Sequence, residues 1–160
     1  MWHPVYRRIV WEVLTITPDS VDTSVVDAQN GLPFYRDHCH WYGALLGRVS
    51  ALDVTDGQIV AKEIRLSRHD DVKRYRMDVA DGLTTGVSLG YRHKRSELIE
   101  AGENEQYPTC LVHEIIPVEL SATDMPADIL CGIIEASIRS ASDDVPDTAV
   151  TGTRAADAAG

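Results

Sequence analysis

The distribution of apolar and polar positions along the chain is mostly that of strands. Residues Arg8 to Ile16 are rich in β-branched and aromatic side chains and predict a strand, which Thr17-Pro18-Asp19-Ser20 interrupts. A loop runs to Asn30-Gly31, and the run LPFYRDHCHW from Leu32 reads as extended. LLGRVSALDV and IVAKEIRL are two further strand-like runs joined by Thr55-Asp56-Gly57-Gln58, where Asp-Gly predicts a β-hairpin. Ser67 offers an N-cap with Asp70 three residues on, and Val72, Tyr75 and Val79 recur at helical spacing until Asp81-Gly82, which predicts one helix. TTGVSLGYRH returns to period two, a polar loop surrounds Ala101-Gly102-Glu103-Asn104, and TCLVHEII and PVELS predict strands on either side of Pro117. Met125 to Arg139 fits a final helix or a strand, with helix preferred for the spacing of Leu130, Ile133, Ile134 and Ile138. The expected class is therefore α+β and mainly β.

After Ser140 the composition changes to Ala, Thr, Asp and Gly, with Asp143, Asp144, Asp147 and Asp157 against a single Arg154. So few large apolar residues cannot offset the entropy of ordering a chain, so residues 140–160 are expected to be a disordered tail behind a domain at 1–139. A total of 160 residues suits a single core in that domain. No apolar stretch approaches the roughly 20 residues of a membrane span, and the first residues lack the charged start and apolar centre of a signal peptide, so a soluble, unexported protein is expected. The three cysteines, Cys39, Cys110 and Cys131, are an odd number without a CxxC, which points to a reducing compartment rather than a disulfide framework or zinc knuckle. A net charge of −10 opposes binding to a phosphate backbone, so nucleic acid is not expected as a partner. No repeat and no nucleotide-binding glycine pattern is present, and no cofactor is expected.

Three segments carry candidate chemistry. In Thr85-Gly86-Val87-Ser88-Leu89-Gly90-Tyr91, strand periodicity puts Ser88 between two glycines on one face. Such a serine is open to an extended substrate and to a base, although a small residue at a tight packing point explains the same pattern. The nucleophile elbow of α/β-hydrolases also reads GxSxG, but it needs a helix after the serine, and Leu89-Gly90-Tyr91-Arg92-His93 does not start one. In Arg36-Asp37-His38-Cys39-His40, a strand would place His38 and His40 on one face, where either imidazole can serve as a general base. HxH is also a metal-ligand spacing, but zinc needs a third ligand that Cys39 on the opposite face does not supply, and His93 or His113 would have to come from elsewhere; no metal is expected. In His113-Glu114-Ile115-Ile116-Pro117-Val118-Glu119-Leu120-Ser121, Val118 and Leu120 share a face while Glu119 takes the other; it is either an outward charge or the acid that orients an imidazole.

Taken in order, these segments resemble the head-maturation (prohead) serine proteases of tailed bacteriophages. The matching pieces are Leu32-Pro33 to His38, Leu46-Gly47-Arg48-Val49, Asp56-Gly57, Asp78-Val79-Ala80-Asp81-Gly82, Val87-Ser88-Leu89-Gly90-Tyr91, Glu119-Leu120-Ser121 and Pro126-Ala127, over roughly residues 8 to 134. The resemblance implies a closed, barrel-like sheet with a few surrounding helices, related to herpesvirus assemblin. It implies a serine endopeptidase acting on phage scaffold and major capsid precursor proteins inside the assembling procapsid in the host cytoplasm, with self-processing and a possible homodimer. Carried over by residue, Ser88 is the nucleophile, His38 the base and Glu119 the orienting acid. His40 is the alternative base when the count runs back from Leu46-Gly47, and His113 the alternative third member, because assemblins use a second histidine there. Arg48 is a candidate for positioning the base loop. The competing functions are a catalytically silent procapsid assembly or scaffold-core domain and, on GxSxG alone, an esterase-type hydrolase.

Overall fold

The computed structural model describes residues 2–3, 6–55, 57–126, 132 and 150–154. The strands are β1 (Trp2–His3), β2 (Arg8–Ile9), β3 (Trp11–Leu14), β4 (Leu32–Arg36), β5 (Leu45–Thr55), β6 (Gln58–Leu66), β7 (Val87–Ile99), β8 (Thr109–Ala122) and β9 (Val150–Arg154). Two α-helices, α1 (Ser24–Ala28) and α2 (Asp70–Ala80), accompany them. The α+β, mainly β class holds.

The local signals account for much of this. Thr55 pairs with Gln58 across the Asp-Gly turn, and Gly57 has φ +79°, the left-handed conformation that a two-residue hairpin demands. Helix α2 begins later than its sequence suggests: His69, with extended backbone, is the N-cap, and Ser67 instead accepts a hydrogen bond from the His69 N–H at 3.4 Å. Val72 and Tyr75 turn into the core, and Gly82 at φ +70° ends the helix. The predicted strand over Arg8 to Ile16 is split at Val10 into β2, which pairs with β1, and β3, which runs parallel to β8.

Strand β8 organises the main sheet. Its 14 residues run straight through Pro117, where two separate strands were expected. One edge of β8 pairs antiparallel with β7, while the other is shared: β3 takes Thr109 to Val112 and β4 takes Leu120 to Ala122, both parallel. Pro117 falls in the gap between β3 and β4, and on the β7 side the register shifts beside it, between Gly90 and Tyr91. A proline without an N–H is tolerated at such a place because the ladder has little to lose there. From β4 the sheet continues through β5 and β6 to β9. The core gathers Phe34, Leu46, Val49, Ile64, Val87, Leu89, Ile115 and Leu120 among others, with α2 covering it through Val72 and Tyr75.

Two further expectations change. The ladder is an open path ending at β7 and β9, so the sheet is not closed among the described residues. Within the stretch expected to be disordered, Val150–Arg154 forms strand β9 on β6. The physical reason is the edge itself: β6 would otherwise present a row of unpaired backbone groups, and a Val-Thr-Gly-Thr-Arg segment is a competent partner for them. Residues 140–149 and 155–160 lie outside the described residues, as do 127–131 and 133–139 of the expected final helix; Gly132 forms an isolated antiparallel bridge with Gly86.

Candidate functional site

The C-terminal end of β8 and the start of β7 bring one set of polar residues together. Ser88 is paired with Ser121 and Gly90 with Glu119. Residues directly opposite one another in an antiparallel pair share a face, and positions two apart on a strand do so too, so Ser88, Gly90, Ser121 and Glu119 all lie on one side of the β7–β8 ribbon. The opposite side carries Val87, Leu89 and Leu120 into the core.

Glu119 is the centre of this set. It is only 2% exposed, and a buried carboxylate is tolerated only when its oxygens are satisfied. Both are. Oε1 lies 2.6 Å from Nδ1 of His38, and Oε2 accepts from the Ser121 hydroxyl at 2.6 Å. Ser121, fully buried, in turn accepts the backbone N–H of His38 at 3.1 Å. An ionised carboxylate can only accept, so His38 carries its proton on Nδ1 and keeps Nε2 as the basic nitrogen. The His38 side chain is 44% exposed, so its ring reaches from the carboxylate toward solvent.

Gly90 makes this arrangement possible. A Cβ at that position would lie 2.2 Å from Oε1, 2.8 Å from Cδ and 2.8 Å from Cγ of Glu119. Gly86 has a comparable role, since a Cβ there would meet the Thr123 carbonyl oxygen at 2.3 Å and the Pro126 ring at 3.0 Å. The glycine strip around Ser88 is therefore not empty: the chain's own carboxylate and the segment after β8 fill both glycine positions. Ser88 itself is 6% exposed. Its hydroxyl forms no hydrogen bond with another described residue, His38 included.

The backbone before the histidine explains which imidazole meets Glu119. Strand β4 stops at Arg36, and Asp37 and His38 both take left-handed backbone conformations, with φ +51° and +55°. Such residues cost on the order of 1 kcal/mol or more each and persist only where the surroundings hold them. The Asp37 N–H donates to the Ala122 carbonyl at 2.9 Å, and the His38 N–H to Ser121, so β8 holds the turn from below. His38 and His40 are consequently not on one strand face. His38 goes to Glu119, and His40 lies against the Tyr35 ring with centroids 5.2 Å apart. The Cys39 thiol donates to the Asp37 carbonyl at 3.5 Å. His113 is far along β8 from Glu119, a separation of about 20 Å for six strand residues, and pairs with Glu97 at 3.3 Å; it is not the partner of His38.

Arg48 braces a turn, but the one before β4 rather than the one after it. Its guanidinium donates to the carbonyls of Gln29, Asn30 and Gly31 at 2.8, 3.3 and 2.7 Å, which fixes the entry of the strand that ends at the histidine turn. Beside that turn a cleft of about 260 Å³ opens between α2 and the end of β8. Arg36, Arg74, Asp78, Thr84, Thr123 and Asp124 are among its walls, so it offers charges of both signs. Tyr75 also lines it, and burial pushes its hydroxyl up to about 12, which leaves it a neutral hydrogen-bonding group at working pH.

The sequence singles out Ser88, His38 and Glu119 as candidates but not Ser121, whose hydroxyl links the His38 backbone N–H to the Glu119 carboxylate. Its signal was the two-residue spacing from Glu119, which puts it on the same strand face. No family model matches the chain, and no match is found among curated proteins or solved structures.

Proposed function

We propose that this protein is a serine endopeptidase in which Ser88 attacks the scissile carbonyl, His38 is the general base and Glu119 orients the imidazole. The observation that carries the reading is the 2.6 Å contact of a buried carboxylate with Nδ1 of a half-exposed histidine, the carboxylate standing on the same sheet face as Ser88. Nε2 of His38 takes the Ser88 proton during attack and returns it to the leaving amine; Glu119 stabilises the imidazolium formed between these steps. Substrate binding has to bring Ser88 Oγ and His38 Nε2 into hydrogen-bond reach, a tightening common when a catalytic site is first occupied. The mixed-charge cleft adjoins the histidine turn through Arg36 and Asp37, while Ser88, His38 and Glu119 are not among its walls.

The resemblance to phage prohead proteases supplies the rest of the reading. Scaffold and major capsid precursor proteins are the substrates, the site of action is the assembling procapsid in the host cytoplasm, and the chain processes itself as well. In this reading the fold is assemblin-like, with the gap between β7 and β9 as the place where a barrel-like sheet would close, and homodimers are possible assemblies. A silent scaffold-core domain is the second reading, favoured by the burial of Ser88. Co-expression with a major capsid precursor separates the two. Mass spectrometry should find defined cleavage products with the wild-type chain and none with Ser88→Ala, whose circular dichroism should be unchanged. Full processing by Ser88→Ala, or none by the wild type, rejects the protease.

A further inference from the structure

A second polar cluster lies elsewhere, where β1 meets the far half of the β7–β8 ribbon. His3 on β1, His93 on β7 and Cys110 on β8 each place a ligand atom within 4.8 Å of the other two, the one such three-ligand group among the described residues. His3 and Cys110 are buried and His93 nearly so. We propose that these three side chains bind a zinc-class divalent ion that staples the N-terminal hairpin to the main sheet.

The distances fit a shared ion as well as they fit hydrogen bonds between the same atoms. With Zn–N near 2.0–2.1 Å and Zn–S near 2.3 Å, a tetrahedral ion spaces two nitrogens by about 3.3 Å and a nitrogen and a sulfur by about 3.6 Å. His3 Nε2 is 3.2 Å from His93 Nδ1 and 3.7 Å from Cys110 Sγ. Two imidazoles and a thiolate are also a donor set suited to zinc.

The surroundings complete the design expected of a metal-binding histidine. Glu12 Oε2 lies 3.2 Å from Nε2 of His93, and Tyr91 donates its hydroxyl to the other oxygen of Glu12. A carboxylate on the far nitrogen fixes the tautomer that leaves Nδ1 free to ligate. His93 is further held by stacking on Tyr91, with ring centroids 6.0 Å apart.

Without an ion, the Tyr6 N–H donates to His3 Nδ1 at 3.3 Å, which leaves the proton of a neutral His3 on Nε2, pointing into the cluster. Binding displaces that proton to Nδ1, ends this long hydrogen bond and releases the Cys110 thiol proton to solvent. The three protein ligands leave a fourth position for water. This cluster is separated from Ser88 by five residues of β7, about 17 Å of strand, so the ion acts on the fold rather than on the reaction.

The test uses the full chain, stripped with a chelator and titrated with Zn²⁺ against a chromophoric competitor, and with Co²⁺ read by absorption. One equivalent of Zn²⁺ should bind and raise Tm, and Co²⁺ should give a thiolate-to-cobalt charge-transfer band. Cys110→Ser should abolish that band and weaken zinc at least 100-fold, and His3→Gln should weaken it comparably, while His40→Ala leaves it unchanged. His3 belongs to the short terminal hairpin, so His3→Gln keeps the test valid if Cys110→Ser does not fold. Failure of the wild type to compete for Zn²⁺, or binding unchanged in whichever of the two variants folds, overturns the proposal.

Discussion

Substituting Gly90 with alanine adds one methyl group at the point where the carboxylate of Glu119 crosses β7. That methyl would stand 2.2 Å from Oε1 and 2.8 Å from both Cδ and Cγ, so the whole end of the side chain is in its way, not one rotatable atom. Restoring ordinary contact moves the carboxylate by about 1 Å, which stretches both of its 2.6 Å hydrogen bonds, to His38 and to Ser121, past the useful limit of about 3.2 Å. Hydrogen bonds to a charged group contribute about 1.5–3 kcal/mol each, and replacing a strand glycine by alanine returns about 0.5–1 kcal/mol of backbone entropy. The net expectation is a loss of about 2–5 kcal/mol. With a urea m-value of about 2 kcal/mol/M, the middle of the usual range, the unfolding midpoint should fall by about 1–2.5 M. Equilibrium urea unfolding followed by tryptophan fluorescence reads this directly. The double variant Gly90→Ala/Glu119→Ala provides the control: truncating Glu119 removes the atoms in the way, so the two substitutions together should cost clearly less than the sum of each alone. A Gly90→Ala protein as stable as wild type, or strict additivity in the double variant, would refute the account of why glycine stands at this position.

His38→Ala should reduce peptide cleavage by about 10³-fold or more and His40→Ala by no more than about twofold, since only His38 contacts Glu119; equal effects in the capsid-precursor assay would contradict the assignment. The pH dependence of stability should show Asp22, whose carboxyl is held down at about 2 chiefly by the hydrogen bond from Lys94 and then by those from Ser24. Because its folded value lies below the unfolded value of about 3.9, its contribution is complete above that pH and is lost as pH falls through about 2. The difference in urea midpoint between wild type and Asp22→Asn should accordingly be largest above pH 4 and close toward pH 2; a difference independent of pH would remove Asp22 from the acid response.

The sequence by itself determined what depends on neighbours in the chain. Period-two alternation gave the strands, Asp56-Gly57 the hairpin, and Val72, Tyr75 and Val79 the helix, because backbone conformation and the direction of side chains follow from a few adjacent residues. The candidate residues Ser88, His38 and Glu119 were legible in the same way, as a serine between glycines, an imidazole beyond a strand and a carboxylate out of phase with its apolar neighbours. The tertiary structure decided everything that rests on pairing across long separations. No local pattern announces that β8 will hold two parallel strands on one edge, that β9 will cover β6, or that Gly90 is small because Glu119, 29 positions later, lies over it. The choice between His38 and His40 belongs to this second group. Spacing alone makes the two equivalent on a strand, and they separate only because β8 reaches Asp37 and His38 through Ala122 and Ser121 and holds both in left-handed conformations.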